Sequence, residues 1–114
     1  MQKLNKKVIN TEANYNTGWL LLSEANRTII NGTIAVLATG IDGTKDAVLD
    51  VYVSNDNENQ SGIKIDSKVI NADPYELLVN VNLPIQYIMF NITLNSVTSI
   101  GLLEIDGIFS IEME

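Results

Sequence analysis

The 114-residue chain has neither cysteine nor histidine. Disulfide bridges and thiolate nucleophiles are therefore excluded, as are the usual general base near neutral pH and the commonest transition-metal ligand. Basic residues are scarce: seven Lys and Arg stand against fourteen Asp and Glu, a net charge of −7. Affinity for a phosphate backbone comes chiefly from clustered cations, so no nucleic-acid partner is expected. No segment approaches the roughly 20 apolar residues that span a bilayer, and the first residues lack the apolar stretch of a signal peptide. The expectation is a soluble protein made in the cytoplasm, with no membrane partner. No cofactor, metal site or catalytic residue is legible, and a non-enzymatic protein is expected.

What is abundant is branched. Ile, Val and Thr together supply 32 residues, and β-branched side chains pack well on a pleated sheet while losing rotamer freedom in a helix. The length suits one domain, residues 1–114. Short alternating runs with turn signals every eight to twelve residues, and no helical period, predict an all-β fold. The expected architecture is a single antiparallel β-sandwich, jelly-roll-like, of about eight strands.

Along the chain, residues 1–10 form either an edge strand or an attachment arm. Lys3, Lys6 and Lys7 would discourage stray pairing at an edge, whereas Leu4, Val8 and Ile9 would supply apolar contact to a partner. On the second reading, removing residues 1–10 would detach the domain without unfolding it. Trp19-Leu20-Leu21-Leu22 is a continuous apolar run expected to be a buried strand, with Trp19 in the core. Asn31-Gly32 is the strongest short hairpin signal, because both central residues of a type I′ turn need positive φ. Residues 39–46, with two glycines, are expected as a loop. Ala47, Leu49, Val51 and Val53 then alternate with polar neighbours as a half-buried strand, and the wholly polar residues 55–62 form an exposed loop. A short strand at Ile63-Lys64-Ile65 and a turn around Asn71–Tyr75 lead to the alternation of Leu77, Val79 and Val81. The chain closes on Ile88, Phe90, Ile92 and Leu94, then Leu103, Ile105, Phe109, Ile111 and Met113. These two runs are expected to form a hairpin across residues 95–99 and to face the core together.

Three constellations have chemical potential. Asn55-Asp56-Asn57-Glu58-Asn59 offers oxygen ligands at alternate positions, but it lacks the closely spaced acids, central glycine and terminal glutamate of a calcium loop and is read as solvated. Asp42, Asp46 and Asp50 would act as paired carboxylates only if two faced each other across a substrate; they are read as a wet acidic row. Trp19, Tyr52, Tyr75 and Tyr87, scattered over separate segments, are read as core and rim. A carbohydrate-binding or adhesin domain, the alternative function, needs at least two exposed and coplanar rings.

At Pro84-Ile85-Gln86-Tyr87-Ile88-Met89-Phe90-Asn91-Ile92-Thr93 the chain resembles small β-sandwich proteins of tailed-bacteriophage virions. In these, proline, two variable residues and a Tyr-Ile pair open a long strand, a Ser/Thr-rich turn follows, and an alternating strand closes the chain. Val51-Tyr52-Val53-Ser54-Asn55-Asp56 fits the same pattern upstream, and the likeness spans residues 48–111. Asn57-Glu58 and Met89 depart from it, standing where an Asp-Gly-then-Trp and an arginine are common. The resemblance implies a virion structural protein, a capsid decoration or a head-fibre or tail-surface module. Its implied partners are the major capsid protein or other head and tail proteins, with homo-oligomerisation, and the resemblance carries no catalytic residue.

Overall fold

Alternating apolar residues bury one face of an extended chain and leave the other to solvent. In the computed structural model, which describes residues 2–23, 28–55 and 62–113, every regular element is a strand. They are β1 (Gln2–Thr11), β2 (Tyr15–Asn16), β3 (Leu20–Leu21), β4 (Thr28–Gly43), β5 (Ala47–Ser54), β6 (Ile63–Ile70), β7 (Tyr75–Leu83), β8 (Tyr87–Thr93) and β9 (Val97–Met113). One sheet has the order β1-β9-β4-β7, and the other the order β2-β8-β5-β6 with β3 also on β8. All strand pairs are antiparallel. With β2 and β3 counted as one interrupted strand, the pairing is nested: first with last, second with second-last, β4 with β7, and β5 with β6.

The core lies between the sheets. Ile30, Ile34, Val36 and Ala38 of β4, Val79 and Val81 of β7, and Leu103, Ile105 and Phe109 of β9 meet Ala47, Leu49, Val51 and Val53 of β5 and Ile88, Phe90 and Ile92 of β8. The expected inward faces are thus in place, except that Ile111 is exposed at the rim. The side chain of Met113 lies outside the described residues.

One row crosses three strands and sets the shape of the first sheet. Ile9 and Thr39 flank Leu102, and Thr11 and Ile41 flank Ile100, so Asn10, Gly101 and Gly40 lie side by side between them. At this row the spacing of inward residues lengthens from two to three on every strand. Val8 is followed by Thr11, Ala38 by Ile41, and Ile100 by Leu103. On β1 and β4 the change is made through left-handed backbone at Asn10 (φ 56) and Gly40 (φ 66). A Cβ on Gly40 would also lie 3.2 Å from Gly101 Cα. Pairing with β7 stops at Ala38, opposite Tyr75. Beyond it the Asp73 carboxylate takes over, accepting the N–H groups of Gly40 (3.2 Å) and Ile41 (2.9 Å).

Several local expectations are corrected. Asn31-Gly32 is not a turn but lies within β4, flanked by Asn82 and Val81 on one side and Ser110 and Phe109 on the other. Gly32 is there because its strand passes close to β9: a Cβ would come within 2.6 Å of Phe109 Cβ. Residues 39–43 continue β4, leaving only 44–46 to turn. The closing hairpin does not form, because β8 and β9 belong to opposite sheets. The link between them crosses the sandwich through Asn95 (φ 55), with the Val97 N–H donating to Leu94 O at 2.9 Å. Of the Trp19–Leu22 run only two residues are strand, and Leu21 is exposed.

Replacing Asp73 with Ala leaves two strand amides without their acceptor. Hydrogen bonds to charged groups contribute about 1.5–3 kcal/mol each, so Asp73→Ala is expected to lower stability by about 2–4 kcal/mol in denaturant melts. A loss below 0.5 kcal/mol would show that water replaces the carboxylate at no cost.

Candidate protein interface

The acids expected on one wet row are each engaged elsewhere. Asp42 accepts from Ser99 Oγ at 3.2 Å. Asp46 accepts the Ser96 N–H at 2.8 Å, and its carbonyl accepts from Asn95 Nδ2 at 3.0 Å, which ties the β8–β9 crossing to the start of β5. Asp50 lies on the outer face of β5, its Oδ1 3.5 Å from Lys64 Nζ. That oxygen has no directed hydrogen bond among the described residues, so the contact is one of charge. No two of these carboxylates share a partner. Among the described residues no group of three or more Asp or Glu is placed to hold a metal ion. The loop weighed as a calcium site has Asn55 exposed, and its residues 56–59 lie outside the described residues.

The aromatic rings do not form an exposed platform. Trp19, Tyr52, Tyr75 and Tyr87 are all half-buried, as is Tyr15 of β2. Trp19 is therefore not fully in the core; its ring lies against Gly62, where a Cβ would collide with it. Lys64 sits 5.7 Å from the centroid of the Tyr52 ring and covers one side of it. The phenol of Tyr75 is held above its ordinary value of 10.0, first by desolvation and then by the Asp66 carboxylate.

Strand edges remain as places where a partner could pair. The residues expected to contact a partner lie on β1, the edge strand of the first sheet. It pairs with β9 from Gln2, opposite Phe109, to Thr11, opposite Ile100. Leu4 and Val8 point inward and pack on the core. Lys6 shares their face, opposite Ile105, and is half-buried. Lys3, Lys7 and Ile9 lie on the outer face, where Lys7 Nζ approaches Glu104 at 3.3 Å. An exposed pair of this kind contributes about 0–1 kcal/mol. Ile9, 66% exposed, is the one apolar residue of the six open to solvent.

The other edges differ in kind. On β6, Asp66 and Lys68 occupy inward positions opposite Val51 and Leu49, and the register slips by one residue at Val51/Tyr52. The edge made by β2 and β3 consists of two dipeptides. Between them Thr17 completes the contact through its N–H to Phe90 O and its Oγ1 from Phe90 N–H, both at 3.0 Å. β7 runs nine residues without a register break and carries one charge, Glu76, near its start. Sequence reading missed this strand as an edge, because alternation identifies a strand but not its neighbours.

The chain matches no protein-family model, no curated protein and no solved structure. The likeness to tailed-phage virion proteins therefore rests on its sequence pattern.

Two outcomes are expected from this placement. Deleting residues 2–11 removes Leu4 and Val8 from the core and bares β9, so the shortened chain should lose its cooperative melting transition; retention of the wild-type transition would make β1 a dispensable arm. Tyr75 is protonated more tightly in the folded chain than in the unfolded one, so its contribution is present below pH 10 and is lost as pH rises through the folded value. Tyr75→Phe should accordingly flatten the fall in melting temperature above pH 10, and an unchanged slope would assign that fall to other groups.

Proposed function

We propose that this chain is a non-enzymatic structural module of a tailed-phage virion, a capsid decoration or a head-fibre or tail-surface component that works through protein–protein contacts. The observation that carries the reading is the nested strand pairing, β1 with β9, β2 and β3 with β8, β4 with β7, and β5 with β6. That nesting fits a jelly roll, an architecture of viral capsid and lectin domains. The inference from fold to role is an analogy of architecture, joined here by the pattern at Pro84–Thr93. The chemistry of the side chains points the same way. Of the carboxylates that would have to converge on a substrate, Asp42 and Asp46 are bonded to Ser99 and Ser96 and Asp50 faces Lys64, and no pair of exposed rings favours the lectin branch over the capsid branch. A net charge of −7 suits an outer particle surface better than contact with packaged nucleic acid.

The test is particle occupancy. An epitope-tagged chain expressed during phage infection should band with density-gradient-purified particles at a fixed copy number and resist release by high salt. Recovery only from the soluble fraction, or specific retention on a glycan array by the purified chain, would overturn the structural reading.

A further inference from the structure

An unpaired strand edge is a row of backbone donors and acceptors ready to accept another strand. Natural sheets block such edges with charges, above all inward-pointing ones, with bulges, or by keeping the strand short. Three of the four edges here carry such a device. β1 has three lysines, with Lys6 turned inward, and a left-handed residue at Asn10. β6 has inward Asp66 and Lys68 and a register slip. β2 and β3 are two residues each. β7 has a single outward charge, Glu76 near its start, and neither an inward charge, a register break nor a short length. From Leu77 to Leu83 it holds no charge, its inward residues Tyr75, Leu77, Val79, Val81 and Leu83 are all uncharged, and it stays in register with β4 over its full length. Among the described residues its only strand neighbour is β4. Leu78, on the outer face, is 57% exposed.

We infer that β7 is a self-association edge, and that its occupant is β7 of a second copy of this chain, paired antiparallel about a two-fold axis. Charge bears on where two copies can meet and in which direction. Two copies at −7 each repel, so contact is favoured where charge is low, and β7, with Glu76 alone, is the least charged of the three long edges. With the axis at Val79, the midpoint of the strand, Glu76 faces Asn82 and Leu78 faces Asn80 of the second copy. The two Glu76 carboxylates then lie at opposite ends, whereas parallel pairing in register would set them side by side. The product is one continuous sheet of eight strands, four from each copy. The contact is isologous and closes at two. Placing β1 of one copy on β7 of the next would instead propagate without end, and the lysines of β1 oppose it. A nine-residue edge buries less than the 1,200–2,000 Å² of a standard interface, so the pairing is weak and concentration-dependent. This inference deepens the structural reading above by naming one partner. It is tested on the purified chain alone, so its failure and the failure of particle occupancy are separate results.

Sedimentation of the full chain across a concentration series should show conversion from 12.5 kDa to twice that mass, with no larger species. The double variant Leu78→Lys/Asn80→Lys sets lysines opposite lysines across the axis and should remain monomeric. Leu78→Glu/Asn80→Glu should do the same, and an equimolar mixture of the two variants should recover the dimer, because each lysine then faces a glutamate. Both positions lie on the solvated face, and a wild-type melting curve confirms each variant's fold. If either variant fails to fold, amide exchange in the wild type decides the matter: the alternate β7 amides that point away from β4 should gain protection as concentration rises. A wild-type chain that stays monomeric at its highest soluble concentration, an open series of oligomers, a dimer surviving in the lysine variant, or β7 amides insensitive to concentration would each overturn the inference.

Discussion

The shape of this sandwich depends on a shift of phase made at the same row by three neighbouring strands. Had only one of Asn10, Gly40 and Gly101 inserted its extra residue, every side chain beyond that strand's row would point opposite to its neighbours, since a slip of one exchanges the two faces of a strand. Because all three shift together, the register is kept and Thr11, Ile41 and Ile100 return to the core as a set. The row also fixes where the chain changes sheets. Ile41 leads to Asp42 and Gly43, Ile100 leads back to Val97, and these two ends are where the chain passes to the second sheet through β5 and β8. The fourth strand does not reach the row, and the Asp73 carboxylate supplies the acceptors that a strand would have offered. A single acidic side chain thus does locally what the rest of the sheet does by pairing.

How much of this was legible in the sequence depended on whether the relevant force was local. The alternation of Ala47, Leu49, Val51 and Val53, of Leu77, Val79 and Val81, and of Ile88, Phe90 and Ile92 reports burial on one face, a property of each strand alone, and each appears as expected. Asn31-Gly32 misled because a dipeptide that tolerates a tight turn also fits the middle of a long strand where a neighbouring backbone comes close. The glycines of residues 39–46 misled similarly: Gly40 bends the strand without ending it. The closing hairpin failed because period-two alternation is identical whether two strands share a sheet or face each other across the core, and only the crossing at Asn95 separates the cases. The edge proposed for self-association was invisible, since being an edge is a property of topology.

The same structure shows why side-chain chemistry gave so little purchase on function. A catalytic or ligand site needs polar groups held together with capacity to spare. Among the described residues several short polar side chains are used by the fold itself. The Asn14 side chain accepts the Leu94 N–H, Thr17 and Phe90 exchange bonds, Asp46 holds the β8–β9 crossing, Asp42 bonds Ser99, and Asp73 finishes the first sheet. These residues sit where strands end or change phase, which is where a sandwich has amides and carbonyls left over. Once they are so engaged, what the molecule presents to another is its strand edges and its outer faces. The inward charges on β1 and β6 then matter more than any surface ion pair. They give up apolar contact at the margin of the core in return for closing those edges, a cost accepted at two edges, while the β2 and β3 edge is kept short instead. An edge left open beside three that are guarded is where the self-association proposed above is assigned.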